Sequence, residues 1–360
     1  MSLAQPKRIL IIKLRHHGDV LLSTPVVDAL KTRFPDCEID MLVYAGTGQL
    51  IADNPQIAQI FTIDRNWKKL GVFKQLACEK NLLSKLKARD YDWAFNLSDQ
   101  WRAAIIAKLC ARCSVGLDCI KRDGFWWRFC HDFINHELDT SHHIVENQLN
   151  ILAPLIQPED VADAKVRLWV AQDARESMRQ KLREQGWNGE DYVLLHPGAR
   201  WHFKCWEDGK NAAIVQLLLN SGQNVVLTAS PDTVEQYMLQ EIIGRLNIPE
   251  GRKVYVLSGC LSLRELAAAI EGAKLFIGVD SAPMHIAAAL DKPQIALFGA
   301  SWVDKWRPYS EHAEVIYAGD YAELPHPDSI DTNDPTRLLK AIPLQDVWDK
   351  ISAKLEALEA

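Results

Sequence analysis

The sequence predicts an α/β protein made of two Rossmann-like domains, one after the other along the chain. Short apolar runs alternate with helical patterns through the first half, and the same alternation begins again in the second half. Such alternation indicates parallel βαβ units. Residues 157–173 carry a proline and mixed charge and are interpreted as the crossing between the halves, so two sheets are expected rather than one.

Each predicted element rests on its own apolar pattern. A short apolar run predicts a buried strand, and apolar residues at helical spacing predict a helix that packs on the sheet. In the first half, strands are expected at residues 9–14, 38–44, 59–63 and 93–97, and helices at 22–33, 73–88 and 100–111. In the second half, strands are expected at 192–196, 224–228, 253–257, 273–279 and 294–298, and helices at 211–220, 233–246, 262–271 and 283–290.

A last amphipathic segment, residues 344–358, is expected to form a helix that packs back on the body of the protein. The predicted domains are therefore residues 1–165 and residues 175–335, followed by a terminal helix within residues 340–360.

The composition is typical of a globular enzyme with two domains. The chain has 360 residues, of which 48% are hydrophobic and 24% are charged. Its net charge of -6 argues against a general nucleic-acid binder, because such proteins are basic overall. No stretch approaches the roughly 18 uninterrupted apolar residues of a membrane span, and the first apolar run is too short for a secretory signal. A cytoplasmic protein, soluble or peripheral to a membrane, is expected.

The eight cysteines are interpreted as buried thiols. Cys110, Cys113, Cys119 and Cys130 with His131 could be drawn as a zinc site, but this segment lacks a second close pair of cysteines. No metal and no cofactor are predicted.

Two polar loops, one in each half, directly follow a predicted strand and open a predicted helix. They are residues 15–19 and residues 278–285. Ligands of open α/β sheets bind outside the carboxyl ends of the strands, so each loop belongs at the ligand-binding edge of its sheet. The carboxylate of Asp19 is therefore expected to face the helix start at Asp280 and Ser281 across a cleft. The alternative is that these residues only cap helices.

The clearest anion-binding chemistry lies in the second half. His196-Pro197-Gly198-Ala199-Arg200 leaves a strand through a glycine, which lets backbone amides approach a ligand, and Lys204 precedes the next helix. Amides at a helix start together with an ammonium group suit a diphosphate. The chain has neither a G-x-G-x-x-G fingerprint after its first strand nor a Walker lysine motif, which disfavours a nicotinamide dehydrogenase. Asp90-Tyr91-Asp92 has the D-x-D form of metal-dependent sugar transferases, but it precedes its strand and is interpreted as a turn.

Three motifs occur in a characteristic order. They are Ile12-Lys13-Leu14-Arg15-His16-His17-Gly18-Asp19-Val20-Leu21-Leu22-Ser23-Thr24-Pro25, then His196-Pro197-Gly198-Ala199, then Asp280-Ser281-Ala282-Pro283-Met284-His285 followed by Leu297-Phe298-Gly299-Ala300-Ser301. This order resembles glycosyltransferase family 9, the heptosyltransferases of the lipopolysaccharide inner core. Within the family the chain most resembles the heptosyltransferase III subfamily, which adds a side-branch heptose.

The resemblance implies a GT-B fold, with the acceptor on the first domain, ADP-L-glycero-D-manno-heptose on the second, and the terminal helix returning to the first. It also implies inversion at the anomeric carbon without an obligatory metal. Asp19 matches the family's catalytic aspartate, and Lys204 matches the lysine that holds the donor diphosphate. The other donor-binding positions implied by the resemblance are Gly198, Ala199, Glu235, Leu261, Asp280, Ser281, Ala282 and His285.

The implied acceptor, heptosyl-Kdo-lipid A, carries phosphates and acidic sugars. Cations on loops suit such groups, and aromatic faces suit sugar rings or acyl boundaries. The candidate acceptor residues are Arg15, His16, His17, Arg102, Lys121, Arg122 and Arg128. The aromatic residues 125–129 lie among three of these cations, and the core is an equally good place for them. The enzyme is expected at the inner face of the inner membrane, as a peripheral protein without a nucleic-acid partner.

Direct displacement at an anomeric carbon needs a base on one face and stabilisation of a departing diphosphate on the other. Asp19 is the expected base, kept ionised by the neighbouring Arg15, His16 and His17. Lys204 is expected to receive the charge of departing ADP. Two other functions stay open: a sugar-nucleotide epimerase of the same architecture, which needs no acceptor, and a non-catalytic ADP-sugar-binding protein.

Overall fold

The structure, a computed structural model, describes residues 5–118, 122, 124–157, 161 and 163–359. Two residues named above, Lys121 and Cys119, lie outside this part. The chain divides into two compact units, Met1–Trp169 and Val170–Ala360. Within the described residues, each unit has a six-stranded parallel sheet and its own buried core. The predicted α/β architecture of two Rossmann-like units is confirmed.

The first unit follows the βαβ alternation. Its strands are β1 (Arg8–Lys13), β2 (Glu38–Tyr44), β3 (Gln59–Ile63), β4 (Tyr91–Asn96), β5 (Ala111–Asp118) and β6 (Phe133–His136). Its helices are α1 (His17–Leu21), α2 (Thr24–Arg33), α3 (Val72–Ala88), α4 (Trp101–Cys110), α5 (Phe125–Phe129) and α6 (Ile144–Asn150). The strand order is β3-β2-β1-β4-β5-β6. Consecutive apolar residues make β1 a central strand, because both of its faces are covered.

The second unit repeats this arrangement. Its strands are β7 (Tyr192–His196), β8 (Asn224–Ala229), β9 (Val254–Ser258), β10 (Leu275–Val279), β11 (Gln294–Phe298) and β12 (Ala313–Tyr317). Its helices are α7 (Gln172–Arg183), α8 (Asp208–Asn220), α9 (Thr233–Ile243), α10 (Leu263–Gly272), α11 (Ala282–Ala289), α12 (Val303–Trp306) and α13 (Leu344–Glu359). The strand order is β12-β11-β10-β7-β8-β9.

Both sheets reverse their winding beside their first strand. In the first unit the chain moves outward from β1 to β2 and β3, and it then returns to place β4 on the other side of β1. The second unit does the same with β7, β8, β9 and then β10. Ligands of such sheets bind at the carboxyl edge beside the reversal. The loops after β1 and β4, and those after β7 and β10, are therefore the places for chemistry.

Three strands of the structure, β5, β6 and β12, were not predicted. The first two mix polar with apolar residues, so neither forms a clear apolar run, and polar groups of β5 are satisfied inside the unit. For example, the Ser114 hydroxyl in β5 donates to Asp132 at 2.7 Å. Cys110 and Cys113 are buried. In the described part of the chain, no three His, Cys, Asp or Glu side chains come together in an arrangement that could hold a metal.

The terminal helix α13 buries its apolar face in the second unit. Val347, Ile351 and Leu355 belong to the same core as β7 and β10, and the helix lies against α8. The buried apolar face of the helix therefore packs on the core of the second unit. No helix in the described ranges combines the length and the apolar character that a membrane crossing requires.

Candidate active site

A lysine and an aspartate form a tight ion pair at the winding reversal of the second sheet. Lys204 ends a short turn after β7, and Asp280 directly follows β10, the neighbouring strand. The Lys204 Nζ lies 2.5 Å from Asp280 Oδ2. The hydroxyl of Ser301, in the loop after β11, donates to the same oxygen at 2.6 Å. Two predicted donor residues that are far apart in sequence are thus brought together, with Ser301 as a third partner.

Aromatic residues frame this cation. The Lys204 Nζ lies 5.1 Å from the centre of the Trp201 ring, which stacks on Phe203. The ring face attracts the ammonium and so helps to hold it at this position. Trp201 and Ser301 were not assigned roles from the sequence, although Ser301 ends one of the three family motifs.

Asp280 and Ser281 are not simple helix caps. Ser281 precedes α11, but its side chain makes no capping hydrogen bond, and its hydroxyl donates instead to the Val279 carbonyl at 3.3 Å. Asp280 is engaged with Lys204 and Ser301. Neither side chain caps the start of α11, where Pro283 has no amide hydrogen and the Met284 amide donates to the Ser281 carbonyl at 3.1 Å. The candidate anion donor of this first turn is therefore the Ala282 amide. Ala282 is the first residue of α11, and His285 is buried one turn later.

Position 198 requires a glycine, because the Glu235 side chain approaches its backbone closely. A Cβ atom at this glycine would lie 2.5 Å from Glu235 Oε2. The Glu235 carboxylate is buried at the start of α9 and accepts a hydrogen bond from the Ser230 amide at 2.9 Å. Burial lowers the pKa of the adjacent His196, whose Nδ1 lies 2.9 Å from the Thr228 hydroxyl oxygen. A neutral histidine and a buried carboxylate thus support the loop that carries Gly198 and Ala199.

Leu261 is half-buried between β9 and α10, at the same edge of the sheet. The predicted donor residues thus come from the carboxyl ends of β7, β8, β9 and β10. The D-x-D residues lie elsewhere, since Asp90 pairs with Arg112 at 2.7 Å and Asp92 accepts from the Lys7 amide at 2.7 Å. Asp90 lies in the turn before β4, as predicted, whereas Tyr91 and Asp92 are the first residues of that strand.

In the first unit, Asp19 lies on α1, directly after the central strand β1. The His16 amide donates to Asp19 Oδ2 at 3.3 Å, so one oxygen takes part in capping the helix. Within the described residues, the other oxygen has no hydrogen bond, and the residue is partly exposed. With one oxygen held by a hydrogen bond and the other available to accept a proton, Asp19 has a suitable geometry for a general base.

The partners and charges of the basic residues around Asp19 differ from the expectation. Arg15 pairs with Asp99, in the loop after β4, at 2.9 Å. Burial lowers the pKa of His17, with smaller contributions from His16 and Arg65, so His17 is neutral near pH 7. The expectation that His17 adds positive charge is therefore corrected.

Lys13 is a buried cation that the sequence did not single out for function. It ends β1 with only 4% of its surface exposed, and its Nζ donates to the Leu97 carbonyl at 3.2 Å. Burial lowers the pKa of Lys13 to about 8, and the nearby Asp19 carboxylate partly opposes this shift. In sequence, Lys13 only interrupts an apolar run, so no local pattern reveals its burial.

The other predicted acceptor cations are held by partners. Arg122 donates to the Asp99 carbonyl at 2.8 Å, which brings it to the loop that also holds Arg15. Arg102 pairs with Glu79 on α3 at 2.5 Å and so links α3 to α4. Arg128 pairs with the buried Asp118 at 2.7 Å. Of these cations, Arg15 and Arg122 both contact Asp99, in the loop after β4 beside the winding reversal.

Comparison with known sequences points to one family. A family model described as glycosyltransferase family 9 (heptosyltransferase) matches residues 80–336. Lipopolysaccharide heptosyltransferase 3 of Escherichia coli is 38% identical to the chain over 335 residues, which cover 93% of this chain and 95% of that protein.

Comparison with solved structures identifies the fold. The glycosyltransferase family 9 structure from Veillonella parvula DSM 2008 has a TM-score of 0.83 at 21% identity and covers 99% of both chains. The ADP-heptose lipopolysaccharide heptosyltransferase II of Escherichia coli has a TM-score of 0.77 at 22% identity, covering 98% of this chain and 100% of that one. The predicted GT-B fold is confirmed.

Proposed function

The chain belongs to glycosyltransferase family 9, and from this premise we propose that it transfers a heptose from ADP-L-glycero-D-manno-heptose to a heptose of the lipopolysaccharide inner core. The predicted resemblance to heptosyltransferase III and the classification as a glycosyltransferase are confirmed by the sequence similarity. The epimerase and the non-catalytic binder are accordingly set aside.

The observation that carries the proposed donor is the cluster of Lys204, Asp280 and Ser301 at the reversal of the second sheet. When the donor binds, its diphosphate accepts hydrogen bonds from the ammonium of Lys204 and from the Ala282 amide at the start of α11. Asp280 is then released to accept hydrogen bonds from the hydroxyls of the heptose. A charge-assisted contact of this kind contributes about 1.5 to 3 kcal/mol.

The proposed reaction is a single displacement with inversion. The acceptor hydroxyl oxygen attacks the anomeric carbon of the donor, and its proton passes to the available oxygen of Asp19. The bond between that carbon and the diphosphate oxygen breaks, and ADP leaves with the electron pair. The cation at Lys204 stabilises the developing charge. The reaction requires no metal in this scheme.

The proposed acceptor is heptosyl-Kdo-lipid A, presented at the inner face of the inner membrane to a cytoplasmic, peripheral enzyme. Its proposed phosphate contacts are Arg15 and Arg122, which both contact Asp99. Guanidinium groups suit phosphates because they can donate two parallel hydrogen bonds. His16, Arg102, Lys121 and Arg128 are proposed to contribute more weakly.

The decisive experiment is mass spectrometry of the core oligosaccharide from cells that lack the protein. The expected result is the loss of one heptose from a side branch, restored by the wild-type gene and not by one encoding Asp19→Asn. An unchanged core would contradict the proposal. Incubation of the purified protein with the donor alone is the control, because an epimerase alters the donor without an acceptor.

A further inference from the structure

The first unit exposes a set of large apolar side chains on two of its helices. Val72, Phe73 and Leu76 lie in the first turns of α3, and Phe125, Trp126 and Phe129 lie on α5; these six residues are called the aromatic surface. The exposed fractions are 90% for Phe73, 73% for Phe125 and 69% for Trp126. Single exposed apolar residues are normal on proteins, but a group of this size indicates a binding surface.

The two parts of this surface are linked through α4. Helices α3 and α4 bury Leu82, Leu86 and Ile106 in one core on the same face of the sheet, and the Arg102–Glu79 pair ties them together. The ring of Trp101, the first residue of α4, meets the ring of Trp127 on α5 at 5.5 Å, which places α5 beside the start of α4. The surface therefore belongs to one layer of the unit.

The position of this layer relates it to Asp19. Helices α3 and α4 follow β3 and β4 of a parallel sheet, so their first turns lie at the carboxyl edge of that sheet. Asp19 follows β1 at the same edge. The aromatic surface thus lies on the side of the unit where the proposed acceptor is used.

The charge around the aromatic surface is positive, although the protein as a whole is acidic. Residues 65–78 contain Arg65, Lys68, Lys69 and Lys74 and no acidic residue, whereas the chain carries a net charge of -6. In the part of the chain that the structure describes, none of these three lysines pairs with a carboxylate, and all three are exposed. Exposed apolar residues beside unpaired lysines, as at the start of α3, match an interface of lipid acyl chains and anionic headgroups.

We propose that the aromatic surface of α3 and α5, with the lysines at the start of α3, docks on an anionic lipid bilayer. The proposal rests on the proposed function in that the acceptor is lipid-linked, and it names the part of the enzyme that meets the membrane. The side chains enter the headgroup region, and the lysines contact lipid phosphates. Docking places the carboxyl edge of the first sheet beside the lipid, where the acceptor sugars are.

The test is cosedimentation of the full-length protein with vesicles of phosphatidylcholine, with and without phosphatidylglycerol. The wild type is expected to bind only vesicles that contain the anionic lipid, and less well as salt increases. Two double variants should each weaken binding by about tenfold or more. One combines Val72→Ser with Phe73→Ser, and the other combines Phe125→Ser with Trp126→Ser. Lys68→Glu, Lys69→Glu and Lys74→Glu together should have a similar effect.

Matched controls lie in the second unit. Ile248→Ser with Leu358→Ser removes exposed apolar side chains, and Arg179→Glu with Arg183→Glu reverses exposed charges; both should bind vesicles like the wild type. Equal binding of the Val72 and Phe73 variant and the wild type would overturn the proposal. Equal binding to both kinds of vesicle would also overturn it, as would a dimer in light scattering that these substitutions dissociate.

Vesicle binding is measured without a donor, so its outcome is independent of the proposed transfer reaction. Turnover measurements separate membrane docking further from the transfer reaction. The Val72 and Phe73 variant should act normally on a deacylated, water-soluble acceptor and slowly on an acceptor embedded in vesicles. An equal loss on both acceptors would mean that these residues act in catalysis or folding, which also contradicts docking.

Discussion

Asp19 combines a capping contact with an available oxygen, and Asp19→Asn separates these roles. Asparagine can still accept the His16 amide but cannot take a proton from the acceptor. The variant should fold, bind ADP about as well as the parent, and lose roughly a hundredfold or more in kcat. Steady-state kinetics at saturating donor and acceptor, with calorimetry for ADP, provide the measurement. A loss of less than about tenfold, with chemistry rate-limiting, would assign the base to another residue, with His16 or His17 next.

Lys204 and Asp280 should respond differently to donor and product. Lys204→Ala removes the proposed diphosphate contact and should weaken ADP and ADP-heptose alike, by about 1.5 to 3 kcal/mol. Asp280→Ala should weaken ADP-heptose more than ADP, because the carboxylate is proposed to bind the sugar. For ADP alone its removal frees the Lys204 ammonium, which favours binding. Calorimetry with both ligands tests this, and equal losses for Asp280→Ala would place its role at the nucleotide.

Lys13 should lower the free energy of unfolding of the protein and raise its turnover. Burial lowers its pKa to about 8, so between about pH 8 and the ordinary value of 10.5 the unfolded chain binds more protons than the folded one. Stability from this group therefore rises with pH in that window and is lowest below it. Lys13→Met should raise the free energy of unfolding at pH 7 by about 1 to 3 kcal/mol and gain less as pH approaches 10.5.

The same substitution should lower turnover, because it removes a positive charge that interacts with Asp19, the proposed base. Urea unfolding at several pH values and kinetics at pH 7 measure the two effects. A variant that is less stable at pH 7 would show that the Leu97 hydrogen bond outweighs the cost of the buried charge. Lys13→Arg should keep the charge and so preserve more turnover than Lys13→Met.

At the scale of elements, the packing of the β7 loop against α9 can be tested at Gly198. Gly198→Ala places a methyl group 2.5 Å from Glu235 Oε2, so the carboxylate or the loop must move. Overpacking of this kind costs about 1 to 3 kcal/mol, and ADP binding should weaken with it. Thermal unfolding and calorimetry are the measurements.

Gly209→Ala, in α8, is the matched control for this substitution. Its added Cβ lies 3.9 Å from Arg245 Nη1, an ordinary contact, and alanine favours a helix by up to about 1 kcal/mol. If both variants unfold and bind ADP like the parent, the close approach of Glu235 to Gly198 has no energetic consequence.

The elements also show what the sequence could predict. Strands β2, β3, β7 and β11 have the predicted bounds, because each is a compact apolar run between polar residues. Strand β5 was hidden because its arginine, serine and cysteine are polar or ambiguous in sequence, and only the fold supplies partners such as Asp132. The contacts of Asp280 with Lys204 and Ser301 join residues 76 and 21 positions apart, so sequence could name the participants but not the pairing.

For the whole molecule, the two compact units predict that ADP is bound by the second unit alone. Val170–Ala360 contains the complete core around β7 and β10 as well as all the proposed donor contacts. Produced separately, it should unfold cooperatively and bind ADP with an affinity within about threefold of the full chain, a difference below 1 kcal/mol. Calorimetry on both proteins measures this. A folded second unit without ADP affinity would mean that the first unit supplies nucleotide contacts.

The ion pair between Lys204 and Asp280 has a consequence for selectivity among cellular anions. Any anion that approaches Lys204 competes with a carboxylate that is already there, at high effective concentration and without entropic cost. Orthophosphate replaces one contact with another and gains little. In the proposed binding mode, a sugar nucleotide also contacts the start of α11 and offers Asp280 the hydroxyls of its sugar, and these added contacts offset the loss of the ion pair. Asp280 thus behaves as a tethered competitive inhibitor, and inorganic phosphate should inhibit Asp280→Ala far more strongly than it inhibits the wild type.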